Sequence, residues 1–272
     1  MDWSKSKTIF IVVFLILNIF LYTQYVDVYT QSQHVEVLAE KTIEAKLKDD
    51  NITYHSLPNT VENVSYLSGK MRNFNENELT ENDSVSTQII DHYMVRCTIK
   101  NPVAIRDITD KNSFTNFMQY YVQDGTKYKL WEINEEQHYA LFFQVINDRV
   151  LYYNSSGYVK VFWNDMNEIY GYEQTMLEKI EKLEQEESTI PPIQALQALY
   201  TRSLLQANSK VVDMNLGYST LVQLTQTQVF APTWQVRVED EDGKVEEHFV
   251  NAFEGKVLEV KKSNSNQTIE EE

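Results

Sequence analysis

The amino-acid sequence predicts an α+β protein, with a single N-terminal transmembrane helix followed by an extracytoplasmic part of two helix-plus-antiparallel-sheet subdomains. One uninterrupted apolar run lies near the N-terminus. Alternating apolar and polar residues fill much of the remaining chain, and three further segments carry apolar residues at helical spacing. Helices that are grouped apart from antiparallel strands favour α+β over parallel α/β.

The apolar run, residues 9–26, has the length of a membrane span. Its 18 residues would form a helix of about 27 Å, close to a hydrocarbon core of about 30 Å. A cleaved signal peptide is the alternative, but it needs small residues before its cleavage site, and residues 22–26 are mostly bulky. Lys5 and Lys7 precede the run, so the positive-inside rule places residues 1–8 in the cytoplasm and the chain after residue 26 outside the cell membrane.

The extracytoplasmic part is predicted to have two halves, residues 27–170 and 171–262, before a disordered polar tail, 263–272. Helical spacing predicts a helix over residues 34–48. A β-meander is the clearest strand signal. Its four strands, with turns at Asn147-Asp148 and at 154–157, are predicted at 127–133, 138–146, 149–154 and 158–164.

The second half is predicted to contain two helices and several strands. Residues 173–187 carry an apolar stripe at helical spacing, which predicts a surface helix because the segment is too short for a coiled coil. Pro191 and Pro192 open a helix over 192–206. Strands follow at 210–219, 221–230, 233–240, 244–251 and 256–260, with turns at Asp242-Gly243 and Glu254-Gly255.

Charge and cysteine content exclude some classes of protein. With 24 basic and 40 acidic residues, the chain has a formal charge of −16, which repels nucleic acid and disfavours it as a partner. The single cysteine, Cys97, allows no internal disulfide, and its alternating surroundings predict a small buried side chain on a strand.

No motif in the chain predicts catalysis, a metal or a cofactor. The five histidines show no metal-binding spacing, and phosphate-binding glycine loops and nucleophile elbows are absent from the sequence. The acidic run 239–243 does not match a calcium loop and predicts a solvated hairpin turn. We therefore expect no enzyme, although carboxylates that pair only in space leave a wall-active hydrolase open.

Asn18 is the one amide in the middle of the apolar run. A buried amide in hydrocarbon is costly unless it is hydrogen-bonded, and a second transmembrane helix offers such a bond. Local bonding to its own helix is the alternative. The residues that share its predicted partner-contact face, at three- and four-residue spacing, are Ile11, Phe14, Leu15, Leu21 and Tyr22.

The first 25 residues, MDWSKSKTIFIVVFLILNIFLYTQY, resemble the start of YycI-type proteins. The similarity includes the opening Met1–Lys5, the entry Lys7–Phe10 and the Leu17-Asn18 pair, and the chain length and acidic outer part agree with it. It implies an accessory regulator of the YycG/WalK sensor histidine kinase, which governs cell-wall metabolism in Gram-positive bacteria.

The resemblance also implies partners. We expect a YycH-like membrane protein, the transmembrane helices of the kinase and the lipid bilayer to contact the chain. The family assigns no catalytic residue that could be transferred to this sequence. The alternative is an extracytoplasmic module that binds a wall or peptide ligand, which an aromatic-lined pocket would favour.

Overall fold

The computed structural model describes residues 3–33, 41–54, 57–58, 61–75, 84–110, 112–183, 185–224 and 226–260. Within its first helix, side chains are described for residues 11–26. The chain divides into two compact units, residues 1–46 and 47–272. Residues 34–40 of the predicted helix 34–48 and the whole predicted tail 263–272 lie outside the described residues.

The first unit contains a long helix. α1 spans Trp3–Gln33, 31 residues, and so includes the whole predicted segment 9–26. A short helix, α2, follows at Ile43–Asp49, and the boundary between the two units falls within it, after residue 46. It begins after Thr42, whose Oγ1 accepts a hydrogen bond from the Ala45 backbone N–H at 3.4 Å and caps the first turn. The end of the predicted helix 34–48 is therefore confirmed.

In the described residues of the second unit, a large sheet is accompanied by two complete α-helices, α3 at Thr115–Tyr121 and α4 at Pro192–Thr201. The first eight strands are β1 Thr53–Tyr54, β2 Asn63–Val64, β3 Leu67–Met71, β4 Val85–Ile90, β5 Met94–Ala104, β6 Tyr128–Asn134, β7 Tyr139–Ile146 and β8 Arg149–Tyr152. The other eight are β9 Tyr158–Trp163, β10 Glu168–Thr175, β11 Leu177–Lys182, β12 Glu187–Ser188, β13 Lys210–Gln223, β14 Thr227–Glu239, β15 Val245–Asn251 and β16 Val257–Leu258.

Among the described residues, fourteen strands form one sheet with the order β11-β3-β14-β13-β8-β7-β9-β10-β5-β4 along its main path. β6 pairs with β7, β1 with β13, and β15 with β14 and β16, while β2 and β12 form a separate ribbon. The α+β class is confirmed. The predicted boundary between residues 170 and 171 falls inside β10, and the division into two halves stays a prediction.

The sheet is mixed, whereas the sequence predicted antiparallel sheets. β8 pairs in parallel with β13 through Leu151 and Tyr152, and β1 also pairs in parallel with β13. The predicted meander strands are all present, but β7 lies between β8 and β9 and pairs with β6 as well. Hairpin signals are local, so they could not reveal that β8 joins the meander to a strand almost seventy residues later.

The predicted helix 173–187 is wrong. Residues 168–175 and 177–182 are strands β10 and β11, and β11 pairs with β3. Met176 and Leu177 are adjacent in the chain, and both side chains are buried. The apolar stripe of a single amphipathic helix would not explain the burial of both. Their spacing from Ile180 and Leu183 fits a helix, but burial and pairing with β3 decide the structure.

A large core cluster lies between α3 and the strands of the meander, β5 and β10. Phe117 and Met118 of α3 meet inward-facing side chains such as Val161, Trp163 and Tyr172. On the C-terminal side, α4 confirms the start of the predicted helix at Pro192 but ends at Thr201, and it contacts β15. Two long strands, β13 and β14, replace the three predicted between residues 210 and 240.

Candidate functional site

The predicted contact face of α1 is one continuous surface. A shallow open depression is lined by Ile11, Phe14, Leu15, Asn18, Ile19 and Tyr22. Five of the six residues predicted for this face therefore lie together, because three- and four-residue spacing brings side chains to one side of a helix. Leu21, the sixth, is exposed but does not line the depression, and Ile19 is there instead.

Asn18 contributes a carboxamide group to this mainly apolar surface. Its side chain is exposed, and no described residue forms a hydrogen bond with its carboxamide. Five residues later, the Thr23 hydroxyl donates to the Phe20 carbonyl at 2.8 Å, so local bonding within α1 is satisfied there but not at Asn18. No local hydrogen bond of the Asn18 side chain is therefore present among the described residues, and contact with a partner helix stays a prediction.

The other predicted features of the N-terminal segment are less fully described. Lys5 and Lys7 lie within α1, but their side chains are outside the described residues. When only the described residues are considered, none of the helices combines the length and apolar character needed for a membrane crossing.

A second depression lies on the outward face of the large sheet, where β10 has a β-bulge. The register of β10 shifts between Ile169 and Gly171 against both β5 and β9. Gly171 forms part of the floor, since a Cβ there would lie 2.5 Å from the Cys97 carbonyl oxygen. The depression measures about 230 Å³ and is lined by Arg96, Cys97, Thr98, Phe162, Tyr170, Gly171, Tyr172 and Glu173.

Aromatic rings and paired charges form the walls of this depression. Phe162 and Tyr170 are stacked, with ring centroids 6.2 Å apart and an interplanar angle of 26°. Arg96 holds Glu173 through Nη2 at 2.7 Å and Nε at 2.9 Å. The volume is below the roughly 300–1,000 Å³ of small-molecule pockets, so the depression suits a side chain or small group rather than a large ligand.

Lys160 lies beside the same aromatic surface. Its Nζ is 4.0 Å from the centroid of Tyr139 and 5.4 Å from that of Phe162, which are cation–π distances. Burial lowers the pKa of Lys160, and the nearby carboxylate of Glu173 acts in the opposite direction. The ammonium group is thus already held by the sheet.

Sequence reasoning missed this surface because its residues lie on three strands whose order is decided by tertiary pairing. The available signal was alternation, which places Arg96, Lys160 and Glu173 opposite the buried side chains of their strands. Alternation gives the outward face of each strand but not its neighbours.

Cys97 and the acidic run 239–243, which were weighed above for other kinds of site, have structural roles. Cys97 is buried and lies 3.5 Å from the Thr87 hydroxyl, as expected for a small core side chain. Asp240 closes the predicted hairpin turn by accepting hydrogen bonds from the backbone N–H groups of Asp242 and Lys244. In the part of the chain that the structure describes, no group of three or more His, Cys, Asp or Glu side chains is placed to hold a metal.

The apolar face of α1 and the depression on the sheet are both open surfaces. The YycI protein family matches residues 31–253, most of the chain, and the chain belongs to this family. YycI proteins are regulatory accessory proteins of the YycG/WalK pathway and are not a known family of enzymes.

Two solved structures show limited similarity. An uncharacterized protein from Eubacterium rectale ATCC 33656 is 9% identical, with 78% of this chain and 92% of that chain covered and a TM-score of 0.48. YycH from Bacillus subtilis is 14% identical, with 70% of this chain and 53% of that chain covered and a TM-score of 0.38. No curated protein matched the chain. At these TM-scores, neither structure contributes to the functional argument.

Proposed function

We propose that the chain is a membrane-anchored regulator of a sensor histidine kinase of the YycG/WalK type. In this proposal, residues 1–8 are cytoplasmic, residues 9–26 cross the bilayer and the chain from residue 27 is extracytoplasmic. The observation that carries it is α1, a 31-residue helix whose apolar side chains from Ile11 to Leu21 are exposed on every side. Exposed apolar surface of this extent needs lipid or protein around it.

The contact face of α1 is the proposed site of regulation. Asn18 would donate and accept hydrogen bonds across to a helix of the kinase or of a YycH-like partner, which contributes roughly 0.6–2 kcal/mol in a membrane. A kinase with two signalling states shifts towards the state that a partner binds better. Differential packing of α1 against these helices would therefore modulate kinase activity and, through it, cell-wall metabolism.

The face can be tested by moving its amide. In Asn18→Leu, the partner loses its hydrogen bond while membrane insertion becomes easier. In a matched variant that combines Asn18→Leu with Ile16→Asn, the span keeps one amide but turns it about 200° around the helix. We expect both variants to insert and both to co-purify less kinase and YycH-like partner than the wild type does.

The controls separate orientation from composition. If the matched variant co-purified normally, any amide in the span would suffice and the face would be irrelevant. If both variants co-purified normally, Asn18 would have no part in partner contact. Photocrosslinking from Phe14, on the face, and from Ile16, off it, should capture the partners from Phe14 alone in native membranes.

The alternative function is an extracytoplasmic module that binds a wall or peptide ligand. The observation that favours it is the aromatic depression at Phe162 and Tyr170, with the Arg96–Glu173 pair beside it. Thermal stabilisation of the full chain by soluble wall fragments or peptides, lost in Tyr170→Ala, would support this function. The absence of stabilisation by either class would leave regulation through α1 as the function.

A further inference from the structure

The edges of the large sheet are not equally protected against pairing with another chain. Edge strands expose unpaired backbone N–H and C=O groups, and proteins commonly protect them with charges, prolines or bulges. β11, at one end, has alternating glutamate and lysine residues at 178–179 and 181–182 and a register shift between Glu178 and Glu181. β6 carries Lys129 and Glu132 and also has a bulge.

β4, at the other end of the sheet, has none of these protections. Its sequence, VSTQII over residues 85–90, contains no charge and no proline. Its register with β5 is continuous from the pair Val85–Ile99 to the pair Ile90–Met94, so no bulge twists the edge away. Among the described residues, β5 is its only strand partner.

The side chains of β4 alternate in a way that sets the requirements for an added strand. Val85 and Ile89 pack partly buried against the main core, and Thr87 contacts the buried Cys97. Ser86 and Gln88 are exposed on the opposite face. A strand added beside β4 would complete the cover of Val85 and Ile89 if it carried apolar residues at every second position.

We propose that β4 is a strand-addition site that takes an extended segment of another protein. The segment has alternating apolar residues and basic flanks, because main-chain hydrogen bonds supply the pairing and the whole chain carries a net charge of −16. A second copy of this chain fits less well, since two such charges repel.

A synthetic peptide tests the site on the full chain in lipid nanodiscs. The probe carries the sequence of residues 94–99, which already pairs with β4 in the fold, with valine in place of Cys97 and a lysine at each end. Its control has the same side chains but N-methyl groups at alternate backbone nitrogens, which removes hydrogen-bond donors. We expect the probe, and not the control, to slow hydrogen exchange at amides within residues 85–90 at least tenfold.

Variants of the protein supply the second measurement. Thr87→Lys introduces a charge on the core-facing side of β4 and should weaken probe binding at least tenfold. Glu181→Lys introduces the same side chain on the protected edge strand β11 and should leave binding unchanged. Because the exchange experiment uses the wild-type chain, it remains decisive if Thr87→Lys folds poorly.

Three results would overturn the proposal. The probe could protect no amide in residues 85–90. These amides could already exchange slowly without it, which would mean that the edge is covered. Alternatively, the chain could form a concentration-dependent dimer that Thr87→Lys abolishes, which would identify a second copy as the occupant. None of these results depends on how α1 is used, so they leave the proposed function untouched.

Discussion

The side-chain amide of Gln144 on β7 pairs with both backbone groups of Leu177 on β11. Its Nε2 donates to the Leu177 carbonyl oxygen at 2.8 Å, and the Leu177 N–H donates to its Oε1 at 2.9 Å. The amide thus takes the place of a neighbouring strand where the chain passes from β10 to β11. This pairing stabilises residue 177 in an extended conformation, within the segment for which periodicity predicted a helix.

Gln144→Leu is expected to reduce the free energy of unfolding by about 2–4 kcal/mol, because it leaves one buried donor and one buried acceptor of Leu177 unpaired. Urea denaturation of the full chain in detergent micelles, followed by tryptophan fluorescence, measures the change. The control is Gln197→Leu on the exposed side of α4, which should shift stability by no more than about 0.5 kcal/mol. Equal effects of the two substitutions would contradict the role given to Gln144.

The turn between β7 and β8 offers a stabilising substitution. Asn147 and Asp148 both have positive φ angles, 50° and 62°, which is the backbone of a type I′ hairpin turn. Glycine adopts this conformation without the clash that an L side chain meets, so Asp148→Gly should add about 0.5 kcal/mol of stability.

The comparison variant for this turn is Asp148→Val, whose branched side chain strongly disfavours a positive φ. It should lower the thermal midpoint of the full chain in micelles, while Asp148→Gly raises it. A midpoint that falls for glycine as much as for valine would mean that the aspartate side chain, rather than its backbone angle, stabilises the turn.

Buried tyrosines make the fold sensitive to alkaline pH. Burial raises the pKa of Tyr158 to about 12 and also raises the pKa values of Tyr128, Tyr152 and Tyr172 well above 10. The native state therefore keeps these protons while the unfolded chain loses its own near pH 10. Stability is fully present below pH 10 and falls as the pH rises through and beyond that value.

Ultraviolet absorbance of tyrosinate can separate the two states. In the native chain a fraction of the tyrosines should ionise only above pH 10, whereas in urea all of them should ionise together near pH 10. Tyr158→Phe should reduce the late native fraction by one residue. Identical titrations in the presence and absence of urea would show that the tyrosines are not protected by the fold.

The turns and the central hairpins could be predicted from sequence because their signals are short-range. Asn147-Asp148 and Asp242-Gly243 both turn the chain where predicted, and β6, β7, β8 and β9 lie within a residue or two of their predicted bounds. The error over residues 173–187 arose because Met176, Leu177, Ile180 and Leu183 fit a helical stripe equally well. Only the contacts of Gln144 and β3 decide between helix and strand there.

The candidate sites also differ in whether the sequence alone could predict them. The face around Asn18 could be predicted because helical spacing alone brings Ile11, Phe14, Leu15 and Tyr22 beside it. The depression at Gly171 and the place of β4 at the end of the described sheet could not be predicted, because each depends on which strands are neighbours.

The amino-acid sequence by itself determined the apolar N-terminal helix, the α+β class and the hairpin turns, since local backbone preferences and hydrophobic spacing act over a few residues. The tertiary structure alone decided the parallel pairing of β8 with β13, the extended form of residues 177–182 and the position of β4 at the end of the described strand order. These features depend on burial and hydrogen bonding between segments far apart in the chain, and no local pattern records them.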